Sequence, residues 1–231
     1  MCGRFILADP GRALARLFAL ALPAGAAPRW NIAPLQRILA VRAATPPGAS
    51  SETFAPSWGL VPRWAVDDRA AAKLINARAE TAADKPAFRE AFRRRRCLVP
   101  ADGFYEWARP GRKPFLFALA DGAPFAFAAL WESWTPPDGG APRETAAILT
   151  TAPNELVAKI HDRMPAILDE GSFAAWLDPA SDDPAPPARL LRPFPAARMT
   201  ARPLAPHVND ARRDGPECLE PAPPPAPGLF D

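Results

Sequence analysis

The segment Phe115–Trp134, FLFALADGAPFAFAALWESW, decides the fold class of this 231-residue chain. Two runs of aromatic and small apolar residues, Phe115–Leu119 and Phe125–Trp134, flank a turn signal at Asp121-Gly122. Such runs are typical of strands, and an Asp-Gly turn between two of them predicts a β-hairpin. We therefore expect an antiparallel sheet at the centre of the protein.

Further elements can be predicted on both sides of this hairpin, without the regular βαβ alternation of a parallel sheet. Additional strands are predicted at Arg37–Arg42, Thr53–Leu60, Cys97–Val99 and Thr145–Thr151. Four helices are predicted from their N-cap residues, which are Asp9 (followed by Pro10), Asp84, Asn154 and Ser172. The pattern predicts an α+β fold whose mainly antiparallel, barrel-like β core is flanked by helices.

Composition excludes several classes of protein. Hydrophobic residues make up 48% of the chain, yet no apolar run approaches the roughly 18 residues of a membrane span. The short run Leu17–Leu22 abuts Arg16, which argues against a secretory signal. Three cysteines, two histidines and no CxxC motif predict a reducing bacterial cytoplasm, with no disulfides, no metal site and no cofactor.

Charge and proline are unevenly distributed along the chain. Residues 1–120 contain 19 Lys and Arg against 9 Asp and Glu, whereas residues 121–231 contain 9 against 16. A basic amino-terminal half is compatible with a nucleic acid partner and equally with ordinary solubility. Many of the 32 prolines lie late in the chain, so we expect one domain over 2–220, a surface loop near 179–187 and a disordered tail over 221–231.

Chemistry is first suggested by the start of the chain, Met1-Cys2-Gly3-Arg4. A small second residue permits removal of Met1, which leaves Cys2 with a free α-amine beside its thiol. The amine can attack an aldehyde to form an imine, and the thiol can then close a five-membered thiazolidine. The alternative is an incidental cysteine in a frayed terminus.

Three later segments also place polar groups in suggestive settings. They are Leu74–Thr81, which contains Asn76, Arg78 and Glu80; Cys97–Trp107, which places Glu106 between aromatic residues; and Ile160–Pro165, which contains His161 and Arg163. Taken singly, Glu106 is equally well explained as an ion-pair partner and His161 as a helix C-terminal cap. Their joint presence with Cys2 favours a functional site.

Together these segments resemble the SOS-response-associated peptidase (SRAP) family of abasic-site-sensing proteins. The matching motifs are Met1–Arg4, Asn31–Pro34, Trp58–Trp64, Asn76–Glu80, the Glu106 segment, His161–Pro165, Val208-Asn209 and Pro216–Leu219. The resemblance implies a barrel-like α+β domain and four catalytic residues: Cys2 as nucleophile, Asn76 as the residue that holds the sugar, Glu106 as general acid/base and His161 as proton donor. It implies no cofactor.

The resemblance also implies a partner, single-stranded DNA that contains abasic sites, bound by a monomer located at the nucleoid. DNA contacts are predicted for Arg4, Asn31, Trp58, Trp64, Arg78, Trp107 and Arg163. Core packing is the alternative for the tryptophans, and the Arg93–Arg96 run is predicted to be a solvated helix end.

Three competing functions remain open from the sequence. A thiol peptidase would use Cys2 as nucleophile and His161 as base, with removal of Met1 as one possible reaction. A non-catalytic single-strand binder would need no thiol. Weak β-elimination at abasic sites would follow from the imine, although thiazolidine closure consumes that intermediate.

Overall fold

Short strands dominate the computed structural model, which describes residues 2–44, 51–179 and 183–223. The strands are β1 (Phe5–Leu7), β2 (Arg29–Ile32), β3 (Ala40–Arg42), β4 (Glu52–Phe54), β5 (Ser57–Trp58), β6 (Asn76–Arg78), β7 (Arg96–Ala101), β8 (Gly103–Ala108), β9 (Lys113–Leu119), β10 (Phe125–Trp134), β11 (Arg143–Thr151), β12 (Met164–Pro165), β13 (Ile167–Leu168) and β14 (Met199–Pro203). The α-helices are α1 (Pro10–Phe18), α2 (Arg89–Arg94), α3 (Phe173–Leu177) and α4 (Ala185–Ala188).

The strands form two mainly antiparallel sheets. The first sheet has the order β14-β9-β8-β1-β2, and the second has the order β12-β11-β10-β7-β3-β4, with β13 paired to β10. Among the strands of the described residues, only β5 and β6 run parallel to a neighbour, and both pair with β11. The predicted α+β class is therefore confirmed. In the described chain neither sheet closes into a full barrel, and an isolated antiparallel bridge links Arg37, before β3, to Ser57 of β5.

The predicted hairpin between Phe115–Leu119 and Phe125–Trp134 is wrong, although both strands exist. β9 pairs with β8 and β14 in the first sheet, whereas β10 pairs with β7 and β11 in the second. The Asp121-Gly122 turn, where Gly122 has φ +67°, therefore connects the two sheets. The turn at Asp121-Gly122 was predicted correctly, but the strand with which each flanking strand pairs is decided by residues distant in sequence.

The core is layered by the strict alternation of side chains along the strands. Cys97 and Val99 of β7 face the space between the two sheets, together with Phe5 and Phe104 of the first sheet. Leu98 points the opposite way, and α2 and α3 cover that outer face of the second sheet. On the outer face of the first sheet, a smaller cluster is completed by residues from the C-terminal part of the chain.

Helix starts were predicted with mixed success. Asp9 caps α1 by accepting from the Arg12 backbone N–H at 2.9 Å, and Asn154 accepts from Val157 N–H at 2.9 Å ahead of a short 3₁₀ helix. Asp84 does not cap α2, which starts five residues later, after Phe88. Ser172 precedes α3 without a capping side-chain bond.

The predicted domain boundary at residue 220 stays a prediction. Just past it, Pro221 forms an isolated bridge with Leu204, and the Ala222 N–H donates to the Pro203 carbonyl. Residues 224–231 of the predicted tail, and 180–182 of the predicted loop, lie outside the described residues. Among the helices described, none has the length and apolar character that a membrane crossing needs.

Candidate functional site

The amino-terminal segment is built into the interior of the protein. β1 lies between β2 and β8, with Phe5 opposite Ile32 on one side and Phe104 on the other. Cys2, three residues before Phe5, is fully buried in the core between the sheets. Its thiol points toward the carbonyl oxygen of Arg4, with an Sγ–O distance of 3.8 Å. The predicted nucleophile is therefore held in place by the strand that follows it.

Asn76 fixes the backbone of Cys2. It lies on β6, whose parallel pairing with β11 places Asn76 opposite Ile148. The Asn76 Nδ2 donates a hydrogen bond to the Cys2 carbonyl oxygen at 2.7 Å. The Asn76 Oδ1 is buried and has no hydrogen-bond partner among the described residues. A buried acceptor without a partner is costly to a fold, which points to a group that is supplied from outside.

Glu106 stands close to Cys2 as a second unsatisfied group. It is 3% exposed on β8, and its Oε1 has no hydrogen-bond partner in residues 2–44, 51–179 and 183–223. Burial raises the pKa of Glu106 to about 7, the positive amino terminus opposes this shift, and Asp162 adds to it. Burial, and after it the charge of Glu106, raises the pKa of the Cys2 thiol. An acid with a pKa near neutrality can both donate and accept protons at physiological pH.

His161 approaches the same site from the segment after the 3₁₀ helix Val157–Lys159. Its Nδ1 lies 3.0 Å from the backbone nitrogen of Arg163 and 3.1 Å from a carboxylate oxygen of Asp162. Burial, and then the positive amino terminus, lowers the pKa of His161. The four predicted catalytic residues are thus linked by contact or by electrostatic interaction around the start of the chain.

Arg4 is fixed by a segment that we call the C-terminal strap, residues 206–220. The Arg4 Nη1 donates to Asn31 Oδ1 at 2.6 Å and to the Val208 carbonyl at 3.0 Å. The Asn31 Nδ2 donates to the carbonyls of Val208, Asp210 and Arg213 at 3.3, 3.0 and 2.8 Å. Asn31 is fully buried, so its predicted DNA contact is corrected to a clamp between β2 and the strap.

The tryptophans predicted to contact DNA divide into buried and accessible ones. Trp58 is fully buried, donates to the Ile75 carbonyl at 2.8 Å and packs edge-on against Phe5. No base can reach that ring, so the predicted DNA contact of Trp58 is corrected to core packing. Trp107 is half-buried and donates to Asn209 Oδ1 at 2.6 Å, whereas Trp64 is 68% exposed.

The two remaining arginines differ in their partners. Arg78 is exposed at the end of β6. Arg163 makes a two-pronged ion pair with Glu80 at 2.7 and 2.8 Å and also donates to the Thr150 carbonyl. Its guanidinium is thus occupied by a carboxylate in this structure.

Three residues that contact members of the predicted set were not singled out from the sequence. Asp214 accepts from the backbone of Trp30 and Asn31 and pairs with Arg29. Asn209 anchors Trp107, and Asp162 lies beside His161. The Val208-Asn209 and His161–Pro165 motifs contained two of these residues, whereas nothing local distinguishes Asp214 from other surface acids.

These features define a single-domain α+β protein in which polar groups surround a buried amino-terminal cysteine. The chain belongs to the SOS response associated peptidase (SRAP) family, whose model matches residues 1–211. The resemblance found in the sequence is thereby confirmed.

Named relatives and a solved structure agree with this family. The chain is 41% identical over 226 residues to the abasic site processing protein YoqW of Bacillus subtilis, covering 95% of this chain and 99% of that protein. It is 33% identical over 189 residues to the abasic site processing protein HMCES of Gallus gallus, covering 71% and 56%. A crystal structure of a protein from Bacteroides thetaiotaomicron superposes with a TM-score of 0.83 at 26% identity, covering 96% and 100%.

Proposed function

We propose that this protein captures abasic sites in single-stranded DNA through a covalent bond to Cys2, after Met1 has been removed. The names of its relatives, abasic site processing proteins, support the substrate class. The site supports the chemistry because a residue that offers both an amine and a thiol is surrounded by proton-transfer groups. Captured in this way, the lesion is shielded from strand cleavage.

The reaction balances without a cofactor or an oxidant. The Cys2 amine attacks the aldehyde carbon of the ring-opened deoxyribose, and loss of one water gives an imine. The thiol sulfur then adds to the imine carbon while the thiol proton moves to nitrogen, which closes a thiazolidine. Glu106 exchanges protons with the amine and the departing water, and His161 donates to the ring oxygen as the sugar opens.

One observation carries this proposal. The Asn76 hydrogen bond to the Cys2 carbonyl holds the reacting residue, while Asn76 Oδ1 and Glu106 Oε1 are buried and have no hydrogen-bond partner within the part of the chain that the structure describes. A sugar remnant with hydroxyl groups can supply the missing donors. The native protein thus tolerates two unsatisfied acceptors at the place where the proposed substrate brings donors.

The state of the thiol favours this order of steps over a peptidase. A thiol peptidase needs a thiolate, usually paired with a histidine. Here burial raises the pKa of the Cys2 thiol, and its hydrogen bond goes to the Arg4 carbonyl. In the proposed reaction the amine acts first, and the positive iminium that forms next to the thiol lowers the thiol pKa when the sulfur is needed.

DNA contacts are proposed for the members of the predicted set that are not fully buried: Arg4, Trp64, Arg78, Trp107 and Arg163. Phosphates suit the arginines, and Trp64 offers an exposed ring for a base. Engagement of Arg163 requires phosphate to compete with Glu80 for its guanidinium. A purely non-covalent binder would need only these residues.

A denaturing gel tests the proposal. Purified protein is mixed with a single-stranded oligonucleotide whose one uracil has been removed by uracil-DNA glycosylase, and intact mass confirms that Met1 is absent. A heat-resistant shifted band is expected for the wild type and not for Cys2→Ala. Absence of the band from Met1-free protein overturns covalent capture, and binding that is equal in Cys2→Ala and wild type, without any adduct, establishes the non-covalent alternative.

A further inference from the structure

The turn between β8 and β9 carries a cluster of cations that the motifs do not account for. We call residues 109–113 the cationic tip. Arg109, Arg112 and Lys113 are all exposed, and no ion pair or side-chain hydrogen bond to them occurs within residues 2–44, 51–179 and 183–223. Most other arginines near the site, such as Arg4 and Arg163, are held by protein partners. These three cations therefore remain available to an anion.

The cationic tip is connected directly to the candidate site. β8 runs from Glu106 through Trp107 into the tip, and Ala108 pairs with Lys113 across the turn. At roughly 3.3 Å per strand residue, the backbone of Arg109 lies within about 10 Å of the backbone of Glu106. Phosphates along an extended single strand are spaced on a similar scale, so a strand that enters the site can also reach the tip.

Electrostatic interactions show that the tip acts on residues of the site. Arg112 contributes to the lowering of the pKa of Arg4, after burial, and Arg109 makes a smaller contribution of the same sign at His161. Like charges that are close enough to perturb one another are unfavourable in isolation. A polyanion bound between them converts this repulsion into attraction.

The backbone of the tip is also unusual. Gly111 has φ +90°, and the next residue, Arg112, has φ +49°. A side chain other than Gly or Asn in this left-handed region costs on the order of 1 kcal/mol. A neutral and less strained residue would form the same turn. Arg112 therefore adds a positive charge that the turn itself does not need.

A second basic cluster provides a contrast within the same molecule. Lys85, Arg89 and Arg93 are exposed on and before α2. That helix packs Phe88 and Phe92 onto the outer face of the second sheet, which is opposite to the face that buries Cys2. The two clusters have the same formal charge and composition, and of the two it is the cationic tip that continues the strand carrying Glu106.

We propose that the cationic tip is a phosphate-binding site for the DNA strand that flanks the captured abasic site. This inference rests on the proposed function and adds to it a footprint: nucleotides on one side of the lesion are held by Arg109, Arg112 and Lys113. Contacts of this type position the strand and carry no sequence preference.

The test compares two triple variants that remove the same charge. R109A/R112A/K113A removes the tip, and K85A/R89A/R93A removes the cluster on α2. The probe is a single-stranded oligonucleotide with a tetrahydrofuran analogue of the abasic site, which has no aldehyde and binds without reacting. The dissociation constant is measured by fluorescence anisotropy over a series of KCl concentrations.

For the tip variant we expect the slope of the logarithm of the association constant against the logarithm of the KCl concentration to become shallower by about 2, because three phosphate contacts on a single strand are lost. The α2 variant should keep the wild-type slope. Lengthening one flank of the probe should strengthen wild-type binding and leave the tip variant unchanged. The charge-conserving R109K/R112K variant should restore most of the slope.

Two results overturn the proposal: an unchanged slope and flank dependence in the tip variant, or equal losses in both triple variants. Thermal unfolding confirms that each variant is folded. Because the probe cannot react, this result does not depend on covalent capture, which is judged separately from the heat-resistant band of the wild type with true abasic DNA.

Discussion

Cys2 and Cys97 are both fully buried in the core between the two sheets, and burial raises the pKa of both thiols. Their surroundings differ. Cys97 lies within β7, and its carbonyl oxygen accepts a hydrogen bond from Trp176. Cys2 lies beside Glu106, and its carbonyl oxygen accepts a hydrogen bond from Asn76. Burial and thiol pKa therefore do not distinguish a candidate nucleophile from a core cysteine; position at the amino terminus and unsatisfied polar neighbours do.

The sharpest test of this comparison exchanges the two cysteines for alanine. Cys2→Ala should abolish the heat-resistant adduct, a loss of more than about 10³-fold, because the thiol that closes the ring is missing. Cys97→Ala should keep the cross-linking rate and lose about 1 kcal/mol of stability, because a buried sulfur leaves a small cavity. Rates come from denaturing gels and stabilities from urea unfolding.

Cys2→Ser separates the two chemical steps. It keeps the amine, so an adduct should be trapped only when borohydride reduces the imine. A heat-resistant adduct from Cys2→Ser without borohydride, or loss of the adduct in Cys97→Ala, would contradict the assignment of the thiol.

Glu106 is the neighbour whose removal should matter next most. Glu106→Gln should slow cross-linking by between about 10² and 10⁴-fold, the usual contribution of a general acid or base. The wild-type rate should show an inflection near pH 7, where Glu106 titrates, and the variant should lack it. Stopped reactions at a series of pH values measure both effects, and an inflection retained in Glu106→Gln would assign it to another group.

The same carboxyl group should make folding stability depend on pH. The folded-state pKa of Glu106, about 7, is raised above the ordinary value of 4.5. The folded protein then binds the proton more tightly, so stability is highest below pH 4.5 and falls as the pH rises toward 7. Relative to Glu106→Gln, the free energy of unfolding should fall by about 3 kcal/mol over this window. If the difference in free energy of unfolding between wild type and Glu106→Gln stays constant with pH, folding does not raise the pKa of Glu106.

Asn31 tests whether a buried residue that holds the C-terminal strap contributes more stability than an exposed residue of the same strap. Asn31→Ala should lower the free energy of unfolding by about 3 kcal/mol, because three strap carbonyls and Arg4 lose a buried partner. Asn209→Ala, at an exposed position of the same strap, should cost about 1 kcal/mol or less. Urea unfolding measures both, and equal losses would mean that burial of the clamp contributes little.

Among the predicted catalytic residues tested by substitution, Asn76 should give the smallest effect on the cross-linking rate. Asn76→Ala removes one hydrogen bond to the Cys2 carbonyl, and about 1.4 kcal/mol corresponds to a tenfold loss of cross-linking rate. The loss should appear in the rate at saturating DNA rather than in the dissociation constant of the tetrahydrofuran probe. A pure loss of affinity would instead make Asn76 a DNA contact.

Local signals in the sequence predicted the elements well and the partners of those elements poorly. Asp9 and Pro10 predicted the start of α1, because helix capping depends on residues that are neighbours in sequence. The partner of β1 could not be predicted, since Phe5 pairs with Phe104 from a distant part of the chain. The β9–β10 prediction was wrong for the same reason: an Asp-Gly turn reverses the chain and does not choose its sheet.

The sequence motifs contain both residues that surround Cys2 and residues that the structure buries, and the sequence alone did not separate the two kinds. Asn31 and Trp58 lie in motifs beside residues of the site, but the structure buries both. A polar residue in a motif can hold the fold or contact a ligand, and the difference is its exposure, which depends on packing across distant elements. Asp214 was missed because its partners lie near residue 30.

The position of β1 between β2 and β8 has a consequence for biosynthesis. Residues 5–7 cannot complete their pairing until residues 103–108 have left the ribosome. At a translation rate of about 5–20 residues per second, the amino terminus of the nascent chain stays accessible for roughly 5–20 s. An aminopeptidase that works on emerging chains has this interval to expose the Cys2 amine. A purification tag fused ahead of Cys2 would remove that opportunity, so recombinant protein for functional work should carry its tag at the other end.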